Sequence, residues 1–145
     1  MQIEVASDVS GSPPPARVRA LLTRAARLVP KSEIRNSKSE ITSVLFCGDK
    51  RMRALNRRWR GMDRSTNVLA FPGTGSGLLG DIAVCVPYAA REARRRRETS
   101  AREIDRLLVH GFLHLSGYDH ETDDGEMDAL EARLRQRLGL AEKAR

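Results

Sequence analysis

Polar and apolar side chains alternate from Gln2 to Ala6, the two-residue period of a strand with one buried face. Ser12-Pro13-Pro14-Pro15 breaks that rhythm and predicts a helix start, with Ser12 as cap and proline tolerated in the first turn. Val18, Leu21, Leu22, Ala25 and Leu28 then recur at spacings of three and four, and the helix ends near Pro30. Glu33 to Lys38 is polar and reads as loop. The β-branched and apolar run Ile41 to Cys47 predicts a second strand. Asp49 is placed to cap the next helix, on which Met52, Leu55 and Trp59 face one way.

Gly61 and a group of charges break the pattern between Arg60 and Thr66. A short strand follows, Asn67 to Phe71, stopped by Pro72. Gly73-Thr74-Gly75-Ser76-Gly77 lacks the lysine of a phosphate-binding loop and reads as a turn. Asp81 to Val86 is a fourth strand. Three helices complete the chain: a basic one from Tyr88 to Arg97, one capped at Ser100 and running to Leu115, and one from Asp123 to Leu138. Four strands mixed with five helices predict an α+β fold, a mixed α/β sandwich on a four-stranded mixed sheet.

At 145 residues the chain suits a single domain over 1–145 with one hydrophobic core. No stretch approaches the roughly 20 apolar residues of a membrane span. The start MQIEVASDVS carries acids and no basic-then-apolar pattern, so no secretory signal is predicted and the expected compartment is the cytoplasm. Cys47 and Cys85 each sit in an apolar run and read as small buried hydrophobes. A net charge of +7, mostly arginine, favours an anionic partner such as nucleic acid. The basic helix, with Arg91 and Arg94 to Arg97, is placed either to track an RNA backbone or to present a solvated face paired with Glu92 and Glu98. Aromatic residues make up only 4%, and Trp59 and Phe71 read as core rather than as stacking surfaces for bases.

All three histidines fall between His110 and His120, in HGFLHLSGYDH. His110 and His114 are four apart, one above the other on a helix face, where two imidazoles can reach one metal ion. They border the apolar stripe Ile104, Leu107, Leu108, Phe112 and Leu115. Gly117 supplies the left-handed conformation that turns the chain back, so that His120 can arrive as a third nitrogen ligand. Three protein ligands leave a fourth position for water, the arrangement of a catalytic rather than a structural zinc site. The spacing H-x-x-x-H-x-x-G-x-x-H is that of the metzincin proteases and predicts a zincin-like arrangement around the metal. Those proteases carry glutamate after the first histidine as general base. Here Gly111 stands there, which argues against peptide hydrolysis.

HGFLHLSGYDH resembles the signature of the YbeY family of bacterial rRNA-maturation endoribonucleases. Two further blocks agree in order: Leu55 to Asp63 followed by Ser65 to Pro72, and Leu79-Gly80-Asp81-Ile82. Ser65, Ala70 and Trp59 stand where the family usually has proline, serine and an aromatic that is often tyrosine. The resemblance implies a zinc-dependent hydrolase with one Zn2+ per chain, held by His110, His114 and His120. It implies a single-strand-preferring endoribonuclease acting in rRNA maturation, at the 16S rRNA 3′ end, and in ribosome quality control. The implied partners are single-stranded rRNA or its precursor and ribosomal small-subunit components. Arg60 and His114 are the implied catalytic residues, Arg60 matching the family's arginine before glycine. A guanidinium offers phosphate two parallel donors, which lysine does not. Glu103, Asp119 and Glu121 read first as surface acids and second as partners that orient an imidazole; Asp81 has no role assigned. Two alternatives remain: a zincin-type metallopeptidase, and a non-catalytic ribosome-assembly factor with a structural zinc site.

Overall fold

The structure, a computed structural model, describes residues 1–30, 41–73, 78–118 and 123–142. Its elements are β1 (Gln2–Ser7), α1 (Pro15–Leu28), β2 (Ile41–Cys47), α2 (Asp49–Arg60), β3 (Val68–Pro72), β4 (Leu78–Cys85), α3 (Val86–Arg95), α4 (Ser100–Leu115) and α5 (Glu126–Arg137). The loop expected over Glu33 to Lys38 lies outside the described residues, as does most of the glycine turn. The sheet order is β1-β2-β4-β3; β1, β2 and β4 run parallel, and β3 pairs antiparallel to β4 at one edge. The expected mixed four-stranded sheet with five helices is the observed architecture.

Alternation along the strands divides the side chains between two unequal layers. Val44 and Phe46 of β2, with Ile82 and Val84 of β4, face the larger core, which α1, α3, α4 and α5 close with Leu22, Ala89, Leu108, Phe112, Met127 and Leu134. Cys47, Leu69, Ala83 and Cys85 face the other way, against Met52 of α2. Cys47 and Cys85 are register partners across β2 and β4, and both are buried as expected. Burial pushes the Cys47 thiol up to about 12, with the neighbouring Cys85 adding to the shift.

α4 is the central helix. It packs on β3, β4, α1, α3 and α5 and carries His110 and His114 on its last turns. Glycine lets α4 come close at two places. A Cβ on Gly111 would stand 3.0 Å from the Ile82 side chain, and one on Gly80 would stand 2.5 Å from both a Leu115 methyl and the Phe71 carbonyl oxygen. Gly80 also has φ of 154°, a conformation side chains resist. The chain after α5 is tied back to α4: Arg102 donates to the carbonyls of Gly139 and Ala141, and the buried Arg106 to that of Leu140. Among the described residues, no helix is long and apolar enough to cross a membrane.

Several helix starts differ from the sequence reading, two of them because a short polar side chain has another partner. Ser12 pairs with Ser7 and the Val9 carbonyl, and α1 begins at Pro15 without a side-chain cap. Asp49 is the first residue of α2 but does not cap it; its carboxylate accepts two hydrogen bonds from Arg91 and one from Ser65. Thr99, not Ser100, caps α4, accepting from the Arg102 amide. Strand β4 begins at Leu78, earlier than expected: Leu78 pairs with Ile41 and Gly80 with Thr42, across a register shift in the ladder.

The Arg91 guanidinium holds the Asp49 carboxyl well below the usual carboxylate range, with Ser65 adding to the effect and partial burial opposing it. A depressed folded pKa contributes stability above the unfolded value, about 3.9, and that contribution is lost as pH falls through the folded value. Asp49→Asn is therefore expected to lower the urea midpoint at neutral pH, with the gap to the parent protein closing below about pH 4. A gap that stays constant on acidification would remove this pair from the acid-side account.

Candidate metal and phosphate site

His110 and His114 follow one another down the exposed margin of α4, both half-buried, with ring centroids 4.8 Å apart in an edge-on arrangement. They line a cleft of about 490 Å³ together with Gly111, the β3 residues Val68 to Phe71, the preceding Thr66 and Asn67, and Trp59 and Arg60 at the end of α2. Arg60 reaches this cleft because α2 stops there: Gly61, with φ of 68°, closes the helix and accepts no further turn. Arg60 is exposed. Two imidazoles and a guanidinium distant in sequence therefore share one concave surface.

His110 has a carboxylate behind it. Its Nδ1–H donates to Oε1 of Glu131 at 2.8 Å, and the other oxygen of Glu131 accepts from Arg135 at 2.7 Å. In the neutral ring this fixes the proton on Nδ1 and leaves the lone pair on Nε2. Burial pushes the Glu131 carboxyl up, but the hydrogen bonds and charges of His110 and Arg135 outweigh it and hold the carboxyl below its ordinary value. Glu131 thus remains an acceptor.

This carboxylate is none of Glu103, Asp119 and Glu121, the acids for which the sequence left that role open beside a surface one. Glu103 lies at the start of α4, buried, with Arg96 3.5 Å away, and burial raises its pKa. Asp119 and Glu121 lie outside the described residues. A signal for Glu131 did exist. Met127, Leu130, Glu131 and Leu134 are the buried positions of α5, spaced three, four and seven from the first. An acid on that stripe needs a buried partner.

Gly117 has the positive φ, 100°, that the turn after α4 was expected to need. His120, the third expected ligand, lies outside the described residues. Among the described residues, no group of three His, Cys, Asp or Glu side chains is placed to hold a metal ion. Gly111 stands where metzincins carry glutamate, and α4 lies so close to β4 here that any side chain would press on Ile82, at 3.0 Å from a Cβ. The metallopeptidase alternative is accordingly not favoured.

The basic helix α3 is more constrained than either sequence reading. Arg91 is committed to Asp49, Glu92 accepts from Asn67 beside the cleft, and Glu98 pairs with Arg102 and the buried Arg106. Arg94, Arg95 and Arg97 remain exposed. Trp59, read as core, is 61% exposed.

Comparison with known proteins gives a consistent picture. The family described as Endoribonuclease YbeY matches residues 7–139. A protein named Endoribonuclease YbeY from Anaeromyxobacter sp. (strain Fw109-5) is 48% identical over 84% of this chain; the match spans 65% of that relative, just under two thirds of its length. One of the same name from Allorhizobium ampelinum is 36% identical over 98% of this chain and 93% of the relative. The solution structure of the Thermotoga maritima protein TM1509 superposes with a TM-score of 0.67 at 28% identity, covering 95% of this chain and 90% of that one.

Proposed function

Because the chain belongs to the YbeY family of endoribonucleases, we propose that it is a metal-dependent endoribonuclease that cuts single-stranded RNA. We place its action in rRNA maturation, at the 16S rRNA 3′ end, and in ribosome quality control, with small-subunit components as partners. The whole of 1–145 forms the nuclease domain in this reading. The observation that carries it is the single cleft lined by His110, His114 and Arg60.

The residues present fit a zinc ion. Nε2 of His110 is turned away from its carboxylate partner, and His114 stands one helical turn along on the same cleft. His110, His114 and, from the turn after α4, His120 would be the ligands of one Zn2+ per chain, in a zincin-like arrangement. When bound, the cation would acidify water to supply the nucleophile at neutral pH and polarise a phosphoryl oxygen.

The chain's own groups do the rest. Glu131 holds the His110 proton on Nδ1 and fixes the ring. Arg60 binds the scissile phosphate through paired N–H donors and offsets the charge that grows on its oxygens during attack. His114 counts with Arg60 as a catalytic residue because it would touch the reacting centre through the ion.

Purified protein given single-stranded RNA, duplex RNA and unfolded protein, each with and without chelator, tests the proposal. Chelator-sensitive cutting of single-stranded RNA is expected; cleaved polypeptide, or RNA bound and never cut, would overturn it. Arg60→Ala should retain its metal and lose about 10²- to 10³-fold in kcat. Glu131→Gln should weaken zinc binding by about 10- to 100-fold in a chelator competition. An unchanged affinity there would reduce Glu131 to a packing role.

A further inference from the structure

We propose that Trp59 is a stacking platform for a nucleobase, and that the apolar groove behind it receives the bases of single-stranded RNA leaving the cleft. This rests on the nuclease reading above and extends it to the path of the substrate.

The groove lies on the face of the sheet that α2 covers only at one end. Its cavity of about 800 Å³ is lined by Ala6, Ser43, Leu45, Ala83 and Leu55 among others, with Glu4 and Asp81 as its charged residues. Trp59 and Phe71 line both this groove and the histidine cleft, so the two are contiguous across a shared aromatic wall. Among the described residues, Trp59 is the most exposed large hydrophobic, ahead of Met62. Its ring has two packed neighbours, the Arg58 guanidinium 5.3 Å from the centroid and Phe71 at 6.1 Å and a tilt of 56°. A braced, exposed indole beside arginine is the combination that single-strand binders use for sequence-tolerant stacking.

Charge sorts the two halves of a nucleotide. Arg57, Arg58 and Arg60, all exposed, cluster at the end of α2 and suit phosphates. The groove offers apolar floor and two carboxylates, which repel phosphate but accept hydrogen bonds from base N–H groups, the uracil imide included. A strand with a phosphate on Arg60 would thus turn its bases over Trp59 into the groove. A duplex cannot do so, because its bases are already stacked on one another. The same surface therefore supplies a physical reason for preferring single strands.

Trp59 is the chain's only tryptophan, so its fluorescence reads the platform directly. In stopped-flow mixing with the wild-type protein, a single-stranded oligouridylate should quench the indole before turnover. A duplex, or an abasic oligomer of equal length, should quench it little. Trp59→Ala should raise Kd and KM for the oligouridylate by about 5- to 100-fold, and Trp59→Phe should restore most of the loss. Silent indole emission at oligouridylate concentrations that saturate cleavage overturns the platform and leaves the nuclease standing. Quenching without any cutting does the reverse. An apolar helical peptide that quenches where RNA does not would assign the groove to a protein partner and overturn the proposal.

Discussion

Cleavage of single-stranded RNA by His114→Ala is expected to fall by about 10³-fold or more, together with loss of bound zinc. The size follows from what the ion supplies. Acidifying water and polarising a phosphate are worth several kcal/mol in all, and about 1.4 kcal/mol is a factor of ten in rate. Removing one imidazole leaves at most two of the three proposed ligands, too few for a lasting site. Metal analysis of the purified variant beside the parent protein, with cleavage rates on the same samples, checks both halves. A His114→Ala protein that keeps its full metal content and rate would end the ligand assignment. Arg60→Ala is the contrast, since it should keep the metal while losing rate.

Phe112→Ala should cost about 3–5 kcal/mol of stability, the largest such effect expected from a single truncation in α4. Phe112 is fully buried between His110 and His114 in sequence, in the core that joins the sheet to α1, α3 and α5. Deleting its ring removes apolar burial and leaves a void that a helix clamped against β4 has little freedom to fill. Urea unfolding with an unchanged m-value gives the number. A loss below about 1 kcal/mol would mean that α4 can shift into the space, against the tight packing at Gly111 and Gly80. Because α4 carries two of the proposed ligands, weaker zinc binding should accompany the loss.

Helices and strands were legible because hydrophobic periodicity is local. Val18, Leu21, Leu22 and Ala25 announce α1, and Ile41 to Cys47 is the second strand to the residue. What failed depends on partners far along the chain. Asp49 looks like a cap until Arg91, 42 positions later, is seen to hold it. Trp59 continues the stripe of Met52 and Leu55, but it borders an open groove on the sheet, and which part of a sheet stays uncovered is not written in a helix.

The site was partly legible for the same reason. His110 and His114 are one helical turn apart, so their proximity follows from spacing alone. Arg60 came only through likeness to a family, and the structure supplies what spacing lacked by putting it on the same cleft as the histidines. Glu131 was missed because it comes from α5, and α5 meets α4 through tertiary packing.

The two thiols, side by side under α2 and held protonated by burial, amount to a built-in clock. Alkylating reagents attack thiolate, and neither sulfur is accessible while α2 stays on the sheet. The rate at which such a reagent consumes Cys47 and Cys85 therefore times how often this flank of the molecule opens, with no label added and the three histidines undisturbed.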